Sequence, residues 1–535
     1  MSHEIEHDAA GGILSNKLLW ICVGLGVFIL IGFVLPVPQS VLEVVEKYGF
    51  AKKMIDWEVA HNAQEAARKT MIVLGVIPMA IIFFATEAIP IGLTGILMPT
   101  LAYFLHLLPR KMIGKTFAGD APMFLLGVLA MGVAVVDVGL HKRLATWLLG
   151  WTRGFYLPIF VLCLSMSVVG SFISAHAMCA FMTPVIMAVY FGAVAANSRG
   201  GRVEHDPALA KFLLFALCFA LNVGGVGSPA AGGRNVIMMG FWSEYGVPMD
   251  FFTWMKYGLP MVPLLGLLVA VYMIVLFGRK IKTRDLTPGL AAIREETQRM
   301  GKMSYAEYVT FGMLLVILAL WIIGGEELGL GGPSLLALII PVVFKTTDWR
   351  KILGGISWDA WFMYCGALTL GALLKESGAA LWLAQSFLKV LGAVGMSQGF
   401  GLWVGLSGLS GLMTNFMSDA GTTALLGPIV IPMGIMTGVP GEPWAVGLAV
   451  AFATSFAHFL IVGTPNNAIV YGLGIYPDTG QRAIHPMDFL KFGFLLWVLS
   501  MLVVWVVGFL VIYNLVGFPD GILETAQKVM AATAR

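Results

Sequence analysis

Residues 174–184 read SAHAMCAFMTP and residues 418–428 read SDAGTTALLGP, each a short polar interruption between long apolar runs. The leading serine, the small residues at the sixth and seventh places and the closing proline stand in register. Each stretch is followed by a second break, GGVGSPAAGGRN at 224–235 and VGTPNNAIVYG at 462–472. Upstream, Asp120-Ala121 and Asp137-Val138-Gly139 are answered by Asp359-Ala360 and Glu376-Ser377-Gly378, with Asp120 to Asp359 and Gly139 to Gly378 both 239 residues apart. One chain therefore carries the same order of interruptions twice.

The background to these breaks is that of a membrane protein. Of 535 residues, 58% are hydrophobic and 12% charged, about half the charge of a soluble domain. Runs near the roughly 20 residues that a helix needs to cross a bilayer occur at Leu18–Val37, Met71–Pro90, Ile91–Leu108, Tyr257–Gly278, Val309–Gly324 and Phe492–Val516. Strand alternation is absent, which leaves helices, the elements that satisfy their own backbone hydrogen bonds in lipid. The expected class is an all-α, multi-pass integral protein of the cytoplasmic membrane. The first run follows MSHEIEHDAAGGILSNK, whose three acidic residues, together with the lack of a small-residue cleavage pattern, predict a retained helix and not a signal peptide. The five cysteines fall in apolar segments without CxxC or Cys/His spacing and read as packing residues.

Between Arg279 and Lys302, seven basic residues stand against three acidic ones, which predicts a cytoplasmic segment. Residues 37–69, with five of each sign, are then expected outside and the N-terminus inside. The resulting division is 1–69 for an N-terminal helix and extracytoplasmic segment, 70–278 for a first repeat, 279–306 for a basic linker, 307–516 for a second repeat and 517–535 for a tail. A net charge of +3 gives no reason to expect a nucleic-acid partner. HExxH, GxSxG and P-loop motifs and a cytoplasmic output domain are absent, so neither an enzyme nor an organic cofactor is expected, and uphill transport would draw on an ion gradient. Small and polar residues also serve ordinary helix–helix packing. Four interruptions paired between halves instead match the broken helices of inverted-repeat transporters, whose sites form where irregular backbone lines a cavity.

These residues resemble the divalent anion/sodium symporters of the ion transporter superfamily over nearly the whole chain. The likeness includes ATEAIPIGLTGILMP (85–99), FLLGVLAMGVAVVDVGLHKRLA (124–145), GKMSYAEY (301–308) and both motif pairs. It implies about 11 transmembrane helices plus two re-entrant hairpins in two inverted repeats, with hairpin tips near 174–176 and 418–420 and broken helices near 224–235 and 462–467. It also implies a scaffold and a transport domain working as an elevator, and a homodimer. In the family, Ser-Asn-Thr tips grip a substrate carboxylate and help hold sodium, and carbonyls at Thr-Pro-Pro-Asn breaks complete the ion's shell. Carried over, the substrate-binding positions are Ser174, His176, Arg234, Ser418, Asp419, Thr464, Pro465 and Asn466. One sodium set is Thr414, Met417, Asp419 and Gly463, and a weakened one is Gly170 with Ser174.

The chain departs from that pattern where it matters most. Ser174-Ala175-His176 and Ser418-Asp419-Ala420 replace Ser-Asn-Thr, and Gly232-Gly233-Arg234-Asn235 replaces Thr-Pro-Pro-Asn. Ala175 removes an amide ligand, while Arg234 brings a fixed cation to what is expected to be the same neighbourhood, to stand in for the lost ion or to fork onto a carboxylate, sulfonate or sulfate. Pairing of Arg234 with Asp419 is the structural alternative. Asp419 offers a charged oxygen to a cation or a proton, and His176 brings a ring that ordinarily titrates at about 6.5. The reading is a secondary carrier for a small anion, an organic carboxylate ahead of sulfate or a sulfonate, coupled to Na+ and/or H+. The alternative is a cation/proton antiporter or oxyanion extruder of the same superfamily.

Overall fold

A computed structural model describes residues 17–141, 143, 147, 152–197, 204–476 and 478–533. Residues 1–16 of the expected N-terminal segment, and residues 142, 144 and 145 of the 124–145 motif, lie outside the described residues. Among those described, the chain is helical throughout, and its one isolated bridge joins Ile475 to Arg482. Among the described residues eight helices are long and apolar enough to span a bilayer, and the pair Phe251–Gly258 and Met261–Phe277, bent by 41°, makes a ninth if it is counted as one span. Further apolar helices, such as Ile91–Phe104 and Gly331–Val343 at 14 and 13 residues, are shorter than the roughly 20 residues of a full crossing.

The 239-residue offset reappears in the packing. Helix Ile91–Phe104 runs along Trp358–Ser377, and Asp120–Asp137 runs along Gly331–Val343. A Cβ on Gly127 would stand 2.3 Å from Ser334 O, and one on Gly366 would stand 2.1 Å from Gly95 O. Each is the other's counterpart under the offset, and each needs bare backbone for helices to approach this closely. The Asp120 carboxylate accepts from Leu330 N (3.0 Å) and Gly331 N (2.8 Å), while Asp359 lies against Gly92, the counterpart of Gly331. Asp137 pairs with Lys351 at 2.9 Å, and its counterpart Glu376 pairs with Lys53.

Two hairpins and two broken helices complete the halves. The first hairpin joins Tyr156–Val169 to Ala175–Asn197, and the second joins Gly399–Phe416 to Asp419–Met436. Helix Pro207–Gly224 breaks, makes one 3-10 turn at Pro229–Ala231, and resumes as Gly233–Glu244. Glu442–Ala453 likewise breaks, turns at Ile461–Gly463, and resumes as Pro465–Leu473. The basic linker contains a helix, Thr287–Met300, packed on Ala175–Asn197. The 37–69 segment contains Gln39–Lys47 and Phe50–Asp56, whose Val41, Val45, Phe50 and Met54 are buried.

Candidate functional site

Breaking a helix leaves carbonyls without N–H partners, and at membrane depth the protein itself must supply donors. Both breaks do so in the same way. Asn235, third residue of Gly233–Glu244, donates Nδ2 to Gly225 O (2.9 Å) and Ser228 O (2.8 Å), ten and seven residues earlier. Asn467, third residue of Pro465–Leu473, donates to Ala457 O and Leu460 O, both at 2.7 Å and again ten and seven residues earlier. The ends of the first arms are tied to the same breaks. Ser171 Oγ reaches Gly224 O (2.9 Å), and Asn415 Nδ2 reaches Phe456 O (3.3 Å) while its Oδ1 accepts from Phe459 N (2.9 Å).

Each hairpin tip then meets the broken helix of the opposite half. Arg234, second residue after the first break, forms an ion pair with Asp419 and donates Nε to Ser455 Oγ (3.0 Å). Asn466 holds the equivalent place after the second break, and its Oδ1 lies 2.8 Å from His176 Nδ1. The sequence reading leaves Arg234 as a surrogate for the first ion or as a partner of Asp419, and the structure shows the pair. Gly233–Glu244 packs on Asp419–Met436, and Pro465–Leu473 packs on Ala175–Asn197, so side chains just after a break reach the other half's tip. The guanidinium is buried against bare backbone: a Cβ on Gly225 would lie 1.7 Å from its Nη2.

The tips and breaks enclose a cavity of about 930 Å³. Ser174, Ala175, His176, Ala177, Gly232, Gly233, Ser418, Asp419, Ala420 and Pro465 line it. These are the cap and first-turn residues of four helices, Ala175–Asn197, Gly233–Glu244, Asp419–Met436 and Pro465–Leu473. Helix N-termini carry partial positive charge and free N–H groups, the arrangement that receives anions. The rest of the wall is largely apolar, with Leu125, Val128, Leu129, Val133, Ile237 and Met363, and the Asp137–Lys351 pair also lines it. Asp419 alone would repel an anion; Arg234 offsets that charge within the wall.

Of the expected sodium ligands, Thr414 and Gly463 are brought together, since a Cβ on Gly463 would lie 2.9 Å from Thr414 O. The Thr414 hydroxyl donates to Thr454 O (3.1 Å), and Met417 is buried with extended backbone. The Asp419 carboxylate is turned to Arg234 and to its own Ala420 N (2.6 Å). Gly170 ends the first arm with its N–H on Met166 O (2.9 Å), and Ser174 Oγ accepts from Ala177 N (3.4 Å) as Ser418 Oγ accepts from Gly421 N (3.1 Å). Thr464 is buried at the second break. Among the described residues no group of three His, Cys, Asp or Glu side chains is placed to hold a metal. The hydroxyl and carbonyl oxygens here suit a hard cation. The sequence reading assigns no role to Asn222, Asn235, Asn467 or Ser455. Superposing GGRN on TPNN at the closing asparagine points to Asn235 and Asn467, whereas Asn222 and Ser455 have no counterpart in either motif.

A multi-pass helical membrane protein with a central cavity between paired hairpins and broken helices belongs to the class of secondary transporters. The chain belongs to the citrate transporter family, CitMHS, which matches residues 81–451. It is 26% identical over 471 residues to a sodium-dependent dicarboxylate transporter, SdcS, of Staphylococcus saprophyticus, covering 84% of this chain and 86% of the relative. It is 25% identical over 448 residues to the sodium-dependent high-affinity dicarboxylate transporter 3 of Caenorhabditis elegans, covering 74% and 76%. These relatives agree with the resemblance to divalent anion/sodium symporters. The crystal structure of the Alcanivorax borkumensis YdaH transporter shares the fold at a TM-score of 0.52 and 14% identity, covering 77% of this chain and 91% of that one.

Proposed function

We propose that this chain is a secondary active carrier that moves a small anion, an organic carboxylate ahead of sulfate or a sulfonate, across the cytoplasmic membrane. The observation that carries the reading is the convergence of four helix N-termini on one cavity, with the tip carboxylate already neutralised by Arg234. The dicarboxylate-transporting relatives support the substrate class. Transport is coupled to Na+ and/or H+. Because Arg234 holds Asp419, a sodium ion in the second set relies on the oxygens of Thr414, Met417 and Gly463, and the guanidinium carries part of the positive charge that a second ion would bring. The hairpins and broken helices move as an elevator against a scaffold, in a homodimer, as the family resemblance implies.

A thermal-shift panel on the purified full chain tests the binding half of this reading. Carboxylates, sulfate and sulfonates are compared with and without sodium at two pH values. A ligand at about 100 times its Kd stabilises the folded state by about 2.7 kcal/mol, so a carboxylate is expected to raise the melting temperature, more so with the coupling ion present. Stabilisation by cations alone, with every anion silent, contradicts the reading and favours cation exchange.

A further inference from the structure

The side chains behind His176 form a directed chain. Asn467 Nδ2 faces two carbonyls, Ala457 O and Leu460 O, at 2.7 Å. Carbonyls only accept, so this end of Asn467 is its amide donor and its Oδ1 points the other way. That oxygen lies 3.2 Å from Asn222 Nδ2 and also accepts from Cys218 Sγ (3.0 Å). Asn222 therefore turns its Oδ1 to Asn466, whose Nδ2 donates to it at 2.8 Å. Asn466 is left with its Oδ1 toward His176 Nδ1, at 2.8 Å. An oxygen there demands a donor, so the neutral ring carries its proton on Nδ1. Asn222, Asn466 and Asn467 are all buried, while His176 is exposed and lines the cavity.

We propose that Asn222 and Asn467 are positioning residues that fix the hydrogen-bond polarity of His176, so that its Nε2 faces the cavity as an acceptor and selects a small carboxylate that carries a hydroxyl. This inference rests on the anion-carrier reading above. A carboxylate accepts and cannot donate; it gains from the four helix N-termini but not from a bare Nε2. A substrate hydroxyl fills that place with an O–H···N bond. The polarity originates in the two carbonyls freed by the second break, so the break that builds the cavity also sets its selectivity.

The test compares L-malate with succinate, and citrate with tricarballylate, pairs that differ by one hydroxyl. Binding to the purified full chain is measured by calorimetry at about pH 8, above the ordinary range of imidazole titration. The wild-type protein is expected to bind the hydroxylated member of at least one pair about fivefold more tightly, the worth of one net neutral hydrogen bond. Asn222→Ala frees the Asn466 amide to turn, and the ratio is expected to fall to about one or to invert. His176→Phe, at an exposed position, gives the same loss and serves if Asn222→Ala does not fold. A merely structural Asn222 would weaken both members of a pair alike and leave their ratio standing. Equal binding of both members by the wild-type protein, or a ratio that survives either substitution, overturns the inference alone. If none of the carboxylates binds, the carrier reading falls and this inference with it.

Discussion

Arg234 and Asp419 show what a buried ion pair contributes and what it does not. Their side chains are 7% and 14% exposed, too little for water to screen them, and removing one partner of such a pair costs about 3–5 kcal/mol because the other charge is left alone. Arg234→Met is therefore expected to lose stability of that order, read as a fall in melting temperature. Arg234→Met combined with Asp419→Asn should regain most of it, since removing both charges from a buried pair is often neutral. A double variant no more stable than the single one would mean that the guanidinium holds the fold through Ser455 and not through charge. Both residues were visible in the sequence as departures from a known motif. Their partnership was not fixed there, because local order says nothing about which half's tip a broken helix faces.

At the scale of elements, the two breaks are held open by one asparagine each, at the same place and with the same offsets to their carbonyls. Replacing either asparagine by alanine strands one carbonyl, Gly225 O or Ala457 O, because Ser228 O also accepts from Ala231 N and Leu460 O from Gly463 N. A buried unpaired carbonyl costs about 1–3 kcal/mol, so Asn235→Ala and Asn467→Ala are each expected to destabilise by about that much. Hydrogen exchange should accelerate locally, at 224–232 for Asn235→Ala and at 454–464 for Asn467→Ala, with little change in the other break. Uniform acceleration across both would show that the clamps are not local. The breaks themselves were legible, since Gly, Pro and Ser at membrane depth signal irregular backbone. Helix starts at Gly233 and Pro465 follow from the same signals. The polar chain from Asn467 to His176 was not legible, because it joins residues 176, 222, 466 and 467, which only tertiary packing brings together.

For the whole molecule, the constant 239-residue offset is a packing rule as well as a sequence pattern. Gly127 and Gly366 occupy equivalent crossings between halves, with no room for a side chain. Gly127→Leu and Gly366→Leu are expected to destabilise comparably and severely, because backbone and not a flexible side chain would have to move. Gly408→Ala, at a helical position with open space around it, should instead be neutral or stabilising by up to about 1 kcal/mol. Unequal effects of the two leucine substitutions would break the equivalence of the halves. Fold class and the repeat were readable from composition and spacing. The lengths of the spans were less so, since hydropathy runs such as Ile91–Leu108 do not show where a helix stops short, here at Phe104.

The central claim, that this cavity carries an anion uphill on an ion gradient, is tested most directly by uptake into liposomes reconstituted with the full chain. Radiolabelled L-malate, succinate or citrate is offered outside under an imposed sodium gradient, an imposed pH gradient, or neither. Concentrative uptake that follows at least one gradient, and that Gly233→Leu abolishes by filling the space between the first break and the second hairpin tip, is the predicted result. Uptake no faster than in protein-free liposomes under every gradient and with any of the carboxylates, while the imposed cation gradients collapse, would contradict it.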